Sequence, residues 1–349
     1  MMKCNIVLCL LVAGVLITGC SKKEEVQEPV PVEEDVPREE AEAPEFVHTY
    51  PLTGVGTNDS IDQRAVAVMV NNHTKARPQS GLTKADIVYE MLAEGEVTRL
   101  LAVYQSEKPE QVGPIRSARD YYIELAKGLD CIYVCHGNSP DAESMLKQGY
   151  IDHLNGLYYD GTLFKRSSER KAPHNSYISF ENIEKGAMEK GYNLTGAPAS
   201  FVFLNKEEIK RLEGDSVTKV SINYGFPAYN TQFEYDVQQG KYKRYSNGEQ
   251  TKEATTSVPV LVDNVLIIET AHRVIDKVGR RDIDLQSGGK GYLLQKGKVK
   301  EVEWINKDGR IVPVSNGVDV GLIPGKTWVN IIPNQPGLTQ NVTLNAAGN

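Results

Sequence analysis

Residues 1–20 most constrain what this chain can become, because they divide it before folding begins. Met1-Met2-Lys3 is a basic start, residues 6–17 are apolar, and Thr18-Gly19 sets small residues in front of Cys20, which is the order of a secretory signal and its cleavage site. The apolar run is too short to span a bilayer comfortably. The reading is a signal peptide over residues 1–19 and a body that folds outside the cytoplasm.

A cysteine directly after Thr-Gly resembles the lipobox of bacterial lipoproteins, where the thiol is joined to diacylglycerol. The resemblance implies that Cys20 becomes the mature N-terminus, a lipidation site with at least two acyl chains. Two chains anchor stably where one is marginal, so the first partner is the membrane, met at its extracytoplasmic face. From Ser21 to Tyr50 the chain is rich in Glu and Pro and poor in large apolar residues. Such a segment cannot bury enough surface to offset ordering, and residues 20–50 read as a lipidated cysteine followed by a disordered tether.

The whole chain carries a formal charge of −7, but that figure misleads. The tether holds ten acidic and three basic residues and the signal holds only Lys3, which leaves about −1 for residues 51–349. A nearly neutral body has no long-range field to steer it toward nucleic acid or anionic lipid. No nucleic-acid partner is expected, and any anion site must be a local cluster.

Cys4 and Cys9 leave with the signal, so Cys131 and Cys135 are the thiols of the body. Four residues apart on one strand, they are too distant to bond. They read as small buried apolar residues.

The body divides by texture, as expected of an α+β chain. Residues 51–210 alternate compact apolar runs, such as Arg64 to Val70, Asp86 to Tyr89, Leu100 to Tyr104 and Cys131 to Cys135, with helix signals. Ile115, Ala118, Tyr122, Leu125 and Leu129 repeat at helical spacing, with Gly128 suited to a C-terminal cap. Further helices are expected over 142–148 and 181–190, giving a mixed α/β N-terminal domain. Residues 215–340 instead show repeated β-favouring runs separated by Gly, Asn and Asp turns, which predicts a β-rich C-terminal domain, either an antiparallel sheet or a small barrel.

Four spaced motifs carry a family resemblance: Ala76-Arg77-Pro78-Gln79-Ser80-Gly81-Leu82, Ala85-Asp86-Ile87-Val88-Tyr89-Glu90, Gly113-Pro114-Ile115-Arg116-Ser117-Ala118-Arg119 and Ala172-Pro173-His174-Asn175. With Pro324 to Trp328 further on, they are similar to the YerB-like lipoproteins, an envelope family of Gram-positive bacteria. The resemblance implies two domains, each catalogued as a domain of unknown function.

These motifs suggest an anion cradle. Arg77 follows a strand, while Arg116 and Arg119 are spaced to share one face near a helix start. Guanidinium forks suit phosphate and carboxylate, and a helix N-terminus adds free amides. Arg170, His174 and Asn175 complete the candidate anion-binding set. The alternative is a structural ion network, with Arg116 paired to Asp120 and Arg119 to Glu124 or to a neighbouring strand. Asp86, Glu90 and Glu94 recur every four residues, but strand-like Asp86 to Tyr89 argues against a shared metal, and no metal or cofactor is expected. His136 stands at a strand end, where capping or packing suffices to explain it.

Two functions remain open. One is a non-catalytic envelope module that binds an anionic wall polymer or lipid-linked precursor. The other is an enzyme acting on a phosphorylated envelope substrate. Ile115-Arg116 followed by Asp120 resembles the Ile-Pro-Arg-Asp signature of the LytR-CpsA-Psr family, with the proline displaced and the aspartate shifted. That reading requires an acidic residue, Asp86, Glu90 or Asp120, beside the arginines. No catalytic residue is assigned, and the oligomeric state is left open.

Overall fold

The strand Val66–Asn71 is VAVMVN, buried along its whole length, and a run apolar on both faces belongs inside a sheet covered on both sides. In the computed structural model, which describes residues 46–346, it lies between Val97–Tyr104, antiparallel to it, and Ile132–Cys135, parallel to it. The signal peptide, Cys20 and residues 21–45 of the expected tether fall outside the described residues. His48–Thr49 already pairs with Gly56–Thr57, and Tyr50 is buried. Apolar Phe46, Val47 and Tyr50 thus bring the fold in slightly ahead of the expected start at residue 51.

A twelve-stranded mixed sheet organises the molecule. From one flank it runs through Val318–Asp319, Arg310–Ser315, Lys298–Lys307, Gly289–Gln295, Asn264–Thr270, Thr327–Pro333, Ile87–Glu94, Val97–Tyr104, Val66–Asn71, Ile132–Cys135 and His153–Asn155. Asp215–Ser216 pairs off this path with Lys298–Lys307. The fold is α+β, with helices in the N-terminal half and a β-rich C-terminal half. The texture of the sequence does not reveal that the halves share this sheet. Thr327 to Ile331 lie parallel to Ile87 to Met91, so a strand near the end of the chain sits beside one near its beginning. Trp328-Val329-Asn330-Ile331-Ile332 is a continuous buried run without alternation, the pattern of a strand covered on both faces. A separate antiparallel sheet also forms, with six strands drawn from residues 219–262 and Val342–Asn345.

Side chains alternate between two cores. Ala67 and Met69 face a cluster completed by Tyr121, Tyr122 and Leu125 of the Asp120–Gly128 helix. Val66, Val68 and Val70 face another, completed by Phe180 and Ile183 of the Phe180–Glu189 helix and by Val220, Phe233 and Tyr242 of the six-stranded sheet. The described residues fall within one contact unit, Glu45–Asn349, so the body carries its own core. Ser139 and Ser179 cap their helices by accepting from Ala142 N and Asn182 N, contacts each worth about 1 kcal/mol. Cys131 and Cys135 are fully buried and free. Burial pushes both thiols up, Cys135 to about 12, which leaves them unreactive.

The helix expected from Ile115 onward begins only at Asp120. Its first part is extended, because residues 113–118 bond to neighbouring strand ends instead of to one another. Gly128 lies in the last turn and not beyond it; a Cβ there would overlap the Gly309 carbonyl, so close approach explains the glycine.

One ion pair bolts the six-stranded sheet to the large one. Glu90 and Arg244 have side chains 0% and 1% exposed. Arg244 Nη2 donates to both Glu90 oxygens at 2.9 and 2.8 Å, and Nη1 donates to Thr251 at 2.6 Å. Glu90 also accepts from Asn72 at 3.1 Å, Thr98 at 3.1 Å, Thr231 at 3.2 Å and Trp328 Nε1 at 3.0 Å. The guanidinium lies 4.5 Å from the Trp328 ring centre. Breaking a buried pair leaves an uncompensated charge and costs about 3–5 kcal/mol. Arg244→Met is expected to lose that much in urea unfolding followed by circular dichroism; a loss below about 1 kcal/mol would contradict this role.

Candidate functional site

Val66–Asn71, Ile132–Cys135 and His153–Asn155 run parallel and end at one edge of the sheet. Ligands of α/β sheets gather at such carboxyl ends. The first strand delivers Asn71, Asn72 and His73, and the second delivers His136. Across their ends runs the extended segment 113–118. Asn71 N donates to Pro114 O at 2.8 Å, Arg116 N to Met69 O at 2.9 Å, Ile115 N to Ser176 O at 2.7 Å, and His136 N to Arg116 O at 2.9 Å. Gly113 is required here. Its φ is 155°, and a Cβ would stand 2.8 Å from Ser176 O.

This backbone holds Arg116 half-buried at the edge. Among the described residues no carboxylate pairs with it. Burial lowers its guanidinium to about 10, with Arg99 adding to the effect, and it stays charged at neutral pH. His73 and His174 stack nearby with ring centres 4.5 Å apart. Asn71 Nδ2 donates to His174 Nδ1 at 2.9 Å, and Lys75 N donates to His73 Nδ1 at 3.1 Å. Each neutral ring therefore carries its proton on Nε2. Burial first, and then neighbouring cations including Arg116, hold both histidines below the usual imidazole range. Arg116, His73 and His174 thus lie within electrostatic reach of one another at this edge, and among the described residues no carboxylate pairs with them.

Other predicted residues build the walls. Arg77 turns inward, donating to Asn72 O and Oδ1 at 3.1 and 3.2 Å; burial, then Arg244, lowers it to about 10. Arg170 donates to Ala76 O and Pro78 O at 2.5 and 2.6 Å, clamping that loop. Asn175 accepts from Arg166 at 3.1 Å. Arg166 also pairs with Asp160 at 2.8 Å and donates to His136 Nε2 at 3.0 Å, while His136 Nδ1 lies 2.7 Å from Ser176 Oγ. Both His136 nitrogens are occupied.

Arg119 does not join Arg116. It occupies the position just before the helix without a side-chain cap bond, and its guanidinium is tied to Glu94, which also binds Arg99 Nη2 at 2.9 and 2.7 Å. Of the alternatives expected for Arg119, the pairing with a neighbouring strand forms and the one with Glu124 does not; Glu124 accepts from Tyr150 at 2.9 Å. Asp86 is spent on Gln105 N at 2.6 Å, Ser106 N at 2.9 Å and the Ser106 hydroxyl. Residue spacing misses His73, which is visible in sequence only as a histidine two positions past a strand. A cleft of about 520 Å³ on the far flank is lined by Lys290, Tyr292 and Glu301; Glu269 on its wall is already bonded to Leu338 N at 2.7 Å.

Residues 52–193 match the N-terminal domain, and residues 220–329 the C-terminal domain, of a family described as protein of unknown function (DUF3048). The chain belongs to the DUF3048 family. It is 47% identical over 287 residues to "Putative lipoprotein YerB" of Bacillus subtilis (strain 168), covering 81% of this chain and 86% of that one. The crystal structure of the YerB protein from Bacillus subtilis superposes with a TM-score of 0.79 at 45% identity, covering 85% of this chain and 99% of that one. The resemblance to YerB-like lipoproteins therefore holds. Arg116, His73 and His174 all lie in the DUF3048 N-terminal domain, whereas the Glu90–Arg244 pair joins the two DUF3048 domains.

The two arginines of one motif are expected to separate on mutation. Arg119→Ala should lose about 2–3 kcal/mol, the value of a hydrogen-bonded buried charge. Arg116→Ala, which removes a cation surrounded by cations, should leave the urea midpoint unchanged or raise it. Equal losses would mean that Arg116 is structural.

Proposed function

We propose that this protein is an extracytoplasmic lipoprotein, anchored by lipid on Cys20, whose N-terminal domain binds the anionic group of a cell-envelope ligand between Arg116, His73 and His174. The relative's name and the leader support the anchor. No described helix is long and apolar enough to cross a membrane. The observation that carries the binding reading is Arg116, fixed through its backbone on both sides while its charge stays unanswered. A wall polymer with phosphodiester links, or a lipid-linked precursor with its pyrophosphate, fits a forked donor with two flanking N–H groups.

Binding without turnover is favoured over phosphoryl transfer. The transferase reading needs an acid beside the arginines; Asp86 and Glu90 are committed to interior partners, and Asp120, in the first turn of its helix, forms no ion pair with Arg116 or Arg119 among the described residues.

Glycerophosphoglycerol, a phosphodiester whose charge is constant between about pH 5 and 8, is the probe. It is expected to raise the melting temperature of the body saturably, and Arg116→Ala should abolish the rise. The free histidines are held low, and a bound anion raises them, so binding takes up protons. Affinity should therefore increase as pH falls from about 7.5 to 5.5, by up to tenfold per pH unit for each proton taken up. A flat titration would remove the histidines from the site, and no shift at any pH would remove the site.

A further inference from the structure

We infer that the carboxyl edge of the sheet is a membrane-docking face, and that the cradle takes its phosphate from a lipid still in the bilayer. This rests on the anion-binding reading above. Parallel pairing places the ends of Ile87–Glu94, Asn264–Thr270, Val66–Asn71 and His153–Asn155 at this same edge. Three loops there carry large apolar side chains into solvent.

The turn after His153–Asn155 exposes Leu157 by 57% and Tyr158 by 65%. Phe226, 52% exposed, follows Gly225, which lies against Glu96 in the turn after Ile87–Glu94. The third loop is the hairpin after Asn264–Thr270, which exposes Val274 by 53%, Ile275 by 45% and Val278 by 63%. That hairpin leans on the same turn: Gly95 N donates to Gly279 O at 3.0 Å, and Arg281 Nη2 to Gly95 O at 2.7 Å.

Single exposed apolar residues are ordinary on a protein surface, but these six crown one edge and flank its cationic cradle. They sit beyond the strand ends, Leu157 and Tyr158 on the short helix Gly156–Tyr159 and Val274, Ile275 and Val278 on a hairpin, which suits insertion into an interface better than closure around a peptide. Tyrosine, with an apolar ring and a polar tip, belongs at headgroup depth. The hairpin's acids are answered, Asp276 by Arg280 at 2.9 Å and Asp282 by Arg273 at 2.8 Å, while Lys277 stands exposed at the tip. A body with net charge near −1 gains no long-range attraction from this. A lipid anchor makes such attraction unnecessary, because a tethered domain meets the surface at roughly millimolar effective concentration. Weak local docking then suffices.

The soluble body from Phe46 onward, which carries its own core, would be floated with phosphatidylcholine vesicles with and without phosphatidylglycerol, whose headgroup is glycerophosphoglycerol. Binding is expected only to the anionic vesicles. Arg116→Ala should lower the partition coefficient about fivefold, the change expected for one basic contact at an anionic surface. Ile275→Ser with Val278→Ser, and separately Leu157→Ser with Tyr158→Ser, should lower it roughly tenfold through lost apolar insertion while binding of free glycerophosphoglycerol stays unchanged. If the free phosphodiester binds but vesicles do not, or if both loop variants float like the parent, docking is overturned and the cradle stands. If the free phosphodiester does not bind and Arg116→Ala floats like the parent, the cradle falls and the inference with it.

Discussion

The rest of the structure hangs on one buried carboxylate. Glu90 projects from the central strand Ile87–Glu94 toward the six-stranded sheet, and six groups from four separate stretches of chain turn toward it or its partner Arg244. A charge at that depth is tolerated only because every lone pair is answered. Its directional bonds set how the two DUF3048 domains meet, where an apolar contact alone would permit sliding. Asn72, the Glu90 ligand from the Val66–Asn71 side, immediately precedes His73. The same network that locks the domains therefore also positions one wall of the cradle.

Much of the architecture is legible in the sequence. Val66 to Val70, Leu100 to Tyr104 and Cys131 to Cys135 announce themselves as buried strands, and the helices expected over 142–148 and 181–190 form as Pro140–Lys147 and Phe180–Glu189. The shared sheet is not legible, because pairing between residues 87–91 and 327–331 is a property of distant chain segments that no local period encodes. The segment 113–118 misleads for a related reason. Its apolar spacing is helical, yet Gly113-Pro114 and the waiting carbonyls of Met69 and Gly137 draw it into extended pairing. Local propensity yields there to tertiary hydrogen bonds.

The candidate site is legible in part. Three of the four motifs meet near one edge, with Arg116 and His174 where an anion could be met, whereas Ala85 to Glu90 starts from the opposite end of its strand. Residue type alone cannot separate a guanidinium that is spent from one that is spare. Arg119, three residues from Arg116, is consumed by Glu94, Arg170 by backbone carbonyls, and Arg77 in part, its Nε held by Asn72 O and Oδ1 while its buried Nη2 has no partner among the described residues. That distinction depends on where acids from other strands arrive.

The seam between Thr327 to Ile331 and Ile87 to Met91 bears on how the protein matures. A chain is synthesised N-terminus first, so Ile87–Glu94 appears long before its neighbour Thr327–Pro333. Until then one side of the central strand is an open ladder of unpaired amides and carbonyls, flanked by apolar residues and prone to pair with other chains. Such long-range closure is slow. The large sheet therefore stays half-built until nearly the last strand arrives.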